Sequence, residues 1–302
     1  MSFLAFILIV FSAVLHASWN LLGKRSTMSI SFYTAMCITA CMVWLHVQFW
    51  TPVNIFRLPR EFFLFLILSV VSDICYCLGL VRAYRTMEMS TAYPMMRALP
   101  ILLTALVTSL LGWGSALSPL AIAGMAVVFL GCMMMPLKDF SHFQFKDYLN
   151  RNLLFIVLVA CGTTGYTILD KEAQNVFAVS CQDLNKITLS LTYYSTRSIT
   201  LTSALMLLVL IWPGELKTFK NLIRQNWKMP LLAGLSASMT YTTVLLAMNY
   251  VDNASYVQVF RQLGLIFGMA GSILILKERC TWPKVIGVLL ILSGLAMTVI
   301  KL

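Results

Sequence analysis

Residues 83–100 read AYRTMEMSTAYPMMRALP, and residues 247–264 read AMNYVDNASYVQVFRQLG. Set 164 positions apart, the two stretches align Ala83 with Ala247, Glu88 with Asp252 and Arg97 with Arg261; further on, Pro119 meets Pro283. After a slip of one residue, Gly124 and Gly131 match Gly287 and Gly294. Weaker similarity joins 19–24 (WNLLGK) to 166–171 (YTILDK). The chain therefore reads as two copies of one unit: 1–137, a connecting loop over 138–151, and 152–302.

Outward from these segments the sequence is apolar. Runs free of Asp, Glu, Lys and Arg cover 2–23, 26–56, 98–137, 152–169, 229–251 and 285–300. About 20 apolar residues span a bilayer as a helix, so most of these runs are long enough to cross. Apolar stretches set against turn signals predict helices over 3–22, 30–50, 61–81, 89–111, 117–136, 152–170, 187–211, 229–249, 253–276 and 283–300. The residues are 60% hydrophobic and 11% charged, with a mean hydropathy of +0.85, a balance that excludes a soluble globular domain. The expected fold is an all-α integral membrane protein of ten transmembrane helices, and the N-terminal apolar run reads as an uncleaved first helix.

Five spans per copy is an odd number, so the second copy must enter from the opposite face. The two copies are then inverted repeats, a transporter architecture. Counting Lys284, the loops after spans 1, 3, 5, 7 and 9 hold 14 of the 22 Lys and Arg residues. The positive-inside rule places those loops in the cytoplasm and both termini outside it. The same rule accounts for the net charge of +11 without nucleic acid. Eight cysteines lack the paired spacing of a zinc or disulfide framework, and no cofactor or metal is called for.

Four ionisable residues fall inside the predicted spans near mid-depth: Asp73, Arg97, Arg197 and Arg261. Each costs roughly 2.5–3.5 kcal/mol at that depth unless it faces protein or a watery cavity. Three cations against one anion leave a positive excess, and the planar guanidinium fork suits an acidic group on a substrate. Tyr93 and Tyr193 precede Arg97 and Arg197 by one turn, and Tyr76 follows Asp73 on the same helix side. At the ends of spans 1 and 6, Trp19, Asn20 and Lys24 and their counterparts Tyr166 and Lys171 read as interfacial anchors or as gates at the cavity mouths. His16 reads as a hydrogen-bonded residue or a proton relay. Pro94 and Pro100 permit a bend around Arg97, while Gly264, Gly268 and Gly271 offer a small-residue face, for packing within the chain or for a homodimer.

With HASWNLLGK at 16–24, AYPMMRALP at 92–100, YVQVFRQLG at 256–264 and LKER at 276–279, the sequence resembles the ten-helix EamA-like branch of the drug/metabolite transporter superfamily. That resemblance implies secondary transport or export of a metabolite such as an amino acid, through a cavity lined by both halves, in a cell membrane such as the bacterial inner membrane. It also implies a glutamate after the fourth and ninth spans; Glu278 fits, whereas Gly114 stands at the first-half place. Many members of the branch have both termini in the cytoplasm, against the charge count. A carrier of organic cations or lipid-linked substrates is the second reading. An intramembrane enzyme is the third, but the chain has no HExxH, nucleophile elbow or Walker A sequence.

Overall fold

The computed structural model describes residues 3–23, 28–86, 89–135, 137, 139, 153–276 and 280–299; over 18–23, 89–93, 271–272, 275–276 and 299 it describes the backbone alone. The helices are α1 (Phe3–Gly23), α2 (Ile30–Trp44), α3 (Val47–Trp50), α4 (Arg60–Thr86), α5 (Met89–Leu111), α6 (Pro119–Met134), α7 (Leu153–Ser180), α8 (Lys186–Ile211), α9 (Glu215–Asn226), α10 (Lys228–Met248), α11 (Ala254–Phe260), α12 (Leu263–Leu276) and α13 (Trp282–Val299). No strand occurs among the described residues. Six spans are long and apolar enough to cross a membrane, Ile30–Trp50 among them, and α1, α6 and α13 contain shorter apolar helices.

Local chemistry starts several of these helices. The side chains of Ser29, Ser118, Asn185 and Asn253 accept hydrogen bonds from backbone N–H groups of the first turns of α2, α6, α8 and α11, donors that have no partner inside a helix. Pro119 at the first position of α6 gives up an N–H that would be unpaired there in any case.

Interdigitation of the two halves holds the bundle together. α4 lies against α7, α1 against α10 and α12, α2 against α8 and α10, α5 against α6, α7 and α11, and α6 against α13. One continuous core runs from Ile9 and Ala13 through Phe62, Ile101, Met125, Tyr193 and Val257 to Ile291. Phe3, Leu110, Leu154, Ile211 and Leu274 point outward, as side chains facing acyl chains do. The seam between α6 and α13 is backbone on backbone: a Cβ at Gly124 would stand 2.6 Å from the Gly294 carbonyl oxygen, and one at Gly131 would stand 2.7 Å from that of Gly287.

Four features depart from the sequence reading. α7 runs ten residues beyond the expected end at 170, because Asp170 and Lys171 are satisfied by protein groups and do not have to reach water. The ninth span is broken at Arg261–Gln262 and the second at Leu45–His46. The loop after the seventh span folds as α9, entered through Gly214 at φ 83°. Lys24, Glu278 and the loop 138–151 lie outside the described residues, apart from 139.

Gly124→Ala should destabilise the bundle by about 1–3 kcal/mol, because the colliding atom is a backbone oxygen with little room to move. Gly268→Ala, where nothing lies within 4 Å of the added carbon, should be neutral or slightly stabilising. Thermal unfolding in detergent, followed by circular dichroism, distinguishes the two.

Candidate functional site

The most deeply buried ionic group is a guanidinium held by two carboxylates. Arg197 of α8 places Nη2 2.8 Å from Asp73 Oδ2, and its Nε lies 2.9 and 3.0 Å from the two oxygens of Asp170. Asp170 also accepts from the hydroxyls of Ser69, Tyr193 and Tyr241, whereas Asp73 accepts from Tyr33 Oη at 2.7 Å. The Tyr241 and Tyr166 rings cover the guanidinium carbon at 5.0 and 5.7 Å. Arg197 is 3% exposed and Asp170 is completely enclosed, so water contributes almost nothing to their solvation. The Asp170 carboxylate is saturated with donors; the Asp73 carboxylate reaches the wall of a cavity.

The other two arginines meet each other. Arg97 of α5 donates from Nη2 to the main-chain oxygen of Arg261 at 2.6 Å, and its Nη1 lies 3.3 Å from His16 Nε2. The same oxygen also accepts from Gly264 N at 3.1 Å, because the helix tightens at the break, where Gln262, Gly264 and Leu265 donate to carbonyls three residues back. Gly264 makes the approach possible, since a Cβ there would lie 3.2 Å from Arg97 Nη2. Arg97 Nε is buried without a hydrogen-bond partner, and Arg261 Nη1 donates to Gln258 at 3.4 Å. Neither arginine is paired with a carboxylate among the described residues.

Two cavities follow from this arrangement. The larger, of about 110 Å³, is walled by Tyr33, Asp73, Tyr194, Arg197 and Tyr241, together with shorter apolar side chains. The smaller, of about 30 Å³, is walled by Arg97, Gln258 and Thr163. His16, Tyr76, Tyr166 and Arg261 stand in the walls of both.

Of the residues singled out in the sequence, Arg97, Arg197, Arg261, Asp73, Tyr76 and Tyr166 gather around these two spaces. Tyr193 does not line them; it is fully buried and bonds Asp170. The side chains of Trp19, Asn20 and Tyr93 lie outside the described residues. Two readings are corrected. Tyr166 and Lys171 are not interfacial anchors: Tyr166 is 7% exposed at the cavities, and Lys171 Nζ donates to the Met248 carbonyl at 2.7 Å, closing the C-terminal end of α10. The positive excess also lies elsewhere, since Arg197 has two carboxylates and the unbalanced charge belongs to Arg97 and Arg261. Sequence reasoning missed Asp170 because its apolar run ends at Leu169, although Tyr166 one turn earlier was a signal. Tyr33 and Tyr241 carry no charge to mark them inside apolar runs.

Asp170→Ala should cost about 3–5 kcal/mol, the usual result of removing one partner from a buried ionic group. Tyr193→Phe removes one hydrogen bond to a charged acceptor and should cost about 1.5–3 kcal/mol. Chemical unfolding of the detergent-solubilised variants measures both.

Residues 151–300 match the model of a family described as the EamA-like transporter family. A solved crystal structure, described only as that of a protein, superposes with a TM-score of 0.68 over 98% of this chain and 97% of its own length; at 12% identity, it shows a shared fold. No curated protein matches the sequence. Long apolar helices and the family match together make the chain a multi-pass membrane protein. Through residues 151–300, it belongs to the EamA-like transporter family.

Proposed function

We propose that the chain is a secondary transporter that moves a small metabolite bearing an acidic group, amino-acid-like in type, across a cell membrane by alternating access. The carrying observation is the pair Arg97 and Arg261 at the smaller cavity. Two arginines line it without a carboxylate partner among the described residues, and Arg97 Nε is buried and unsatisfied. Leaving a buried charged donor unpaired is expensive, and an incoming carboxylate, phosphate or phosphonate would relieve that cost bidentately. Tyr76 and Tyr166, shared with the larger cavity, would guide the rest of the substrate.

Ten spans arranged as inverted halves, 1–137 and 152–302, suit this reading. Exchanging α1 with α7, α2 with α8, α4 with α10, α5 with α11 and α12, and α6 with α13 turns the α4–α7 contact into α10–α1, and α5–α7 into α12–α1. The α6–α13 and α2–α8 contacts turn into themselves. The glycine seam behaves likewise, because Gly124 on Gly294 becomes Gly287 on Gly131. Arg97 touching Arg261, its counterpart in the other half, is what two equivalent residues beside such an axis would do. A carrier of organic cations would require a free acid on the cavity wall, and Asp73 already holds Arg197 and Tyr33.

In proteoliposomes loaded with amino acids or phosphonates, Arg97→Ala and Arg261→Ala should lower transport by about 100-fold while remaining monodisperse, equivalent to losing one or two charged hydrogen bonds of about 1.5–3 kcal/mol each. Arg97→Lys should recover only part, since it keeps the charge and loses the fork. Normal transport by both alanine variants would remove the arginines from the substrate path. Sidedness is tested separately: in intact cells, Lys220→Cys and Lys284→Cys in a cysteine-free background should resist an impermeant external reagent. Labelling of both would reverse the proposed orientation and leave the fold untouched.

A further inference from the structure

The helix α9 contributes no side chain to either cavity, and its two faces differ sharply. Leu216 and Phe219 pack with Ile30, Leu205 and Val209, and Leu222 packs with Phe32 and Ala233, so one face is held by the bundle. On the opposite face, Lys217, Lys220 and Arg224 stand at i, i+3 and i+7 on one exposed stripe, and exposed Lys228 follows. Like charges at these spacings repel along a helix, and no acid shares the stripe to offset them. The single acid of α9, Glu215, is buried and turned the other way: its carboxylate accepts from Ser31 N at 3.0 Å and from Ser31 Oγ at 2.5 Å. Trp212 and Trp227 are exposed at the two ends, and Ile223 is 43% exposed between the packed face and the basic stripe. Cations beside exposed tryptophans and an apolar flank form the profile of a helix lying at the headgroup level.

We propose that α9 binds the anionic headgroups of the surrounding bilayer, and that the Glu215–Ser31 contact passes this binding to α2. Ser31 belongs to the first turn of α2, and the following two turns supply Tyr33, Met36, Cys37 and Ala40 to the wall of the larger cavity. Lipid charge thereby fixes the end of a cavity-lining helix from outside the transport path.

Backbone hydrogen exchange tests this without knowledge of the substrate. The full chain is placed in nanodiscs of phosphatidylcholine alone, or of phosphatidylcholine and phosphatidylglycerol in equal parts. Each basic residue near an anionic surface gains about fivefold in binding, so phosphatidylglycerol should slow exchange in α9 and in the first turn of α2 by on the order of tenfold or more. High salt should cancel the effect. The combined Lys217→Gln, Lys220→Gln and Arg224→Gln variant should lose it, and Lys220→Gln alone should lose part of it. Glu215→Gln should keep the protection of α9 and lose that of α2. Equal exchange in the two lipids, or protection that survives the combined variant, would overturn the headgroup assignment. Equal protection from inorganic phosphate in phosphatidylcholine discs would overturn the bilayer as its source. If Glu215→Gln leaves α2 fully protected, the link to the cavity fails.

Discussion

One guanidinium shared by two carboxylates fixes the centre of this bundle. Asp73 comes from α4, Asp170 from α7 and Arg197 from α8, while Tyr33 and Tyr241 tie in α2 and α10. Inside a membrane there is no water to take over if one of these contacts is lost, so the five helices hold a common register or leave a charge exposed to apolar surroundings. The cluster carries one net negative charge by formal count. Tyr33, Tyr193 and Tyr241 donate hydroxyls to its carboxylates, and the Tyr166 and Tyr241 ring faces cover its guanidinium. Asp73, Arg197, Tyr33 and Tyr241 also look into the larger cavity, which makes the same group part of the scaffold and part of the wall.

The second organising element is a deliberate flaw in a helix. In a continuous ninth span the Arg261 carbonyl would accept from Leu265 N; at the break it accepts from Gly264 N instead. At the Arg261–Gln262 break that oxygen takes Arg97 as a second donor, and irregular backbone at such depth is tolerated only where protein or a cavity receives it. Gln262 Oε1 at the break and Thr167 Oγ1 on α7 are buried without hydrogen-bond partners. A tight turn held by one guanidinium can reorganise when that guanidinium finds a better acceptor, whereas an unbroken helix has no such point of weakness.

Much of the fold was legible because a bilayer imposes length and composition. Apolar runs located the membrane helices, the arginines and Asp73 stood out by subtraction of loop charge, and the 164-residue offset marked Arg97 and Arg261 as equivalent positions, though not that they would touch. Three things were not legible, each for a physical reason. Asp170 sits beside Lys171 and Glu172, a charge cluster that on its face marks the end of a span; only packing against α8 and α10 reveals that the helix continues. No Pro marks the break at Arg261–Gln262, and Gly264 two residues on reads equally as a packing position inside an apolar run. α9 is short, and its apolar residues are too few to resemble a span, yet at helical spacing they suffice to dock it against α2.

The seam between α6 and α13 has a genetic consequence. Ordinary core contacts can be repaired, because an enlarged side chain on one helix is answered by a trimmed one on its neighbour. Here the atom nearest each glycine's missing Cβ is a carbonyl oxygen, and the residue that owns that oxygen is itself a glycine. Trimming Thr298 or Ile291, which also stand near the two sites, would leave that oxygen in place. Suppressors of a substitution at Gly124 or Gly131 would therefore have to arise at a distance, by moving a whole helix, and the two glycine pairs should behave in a selection as positions with no local second-site partner.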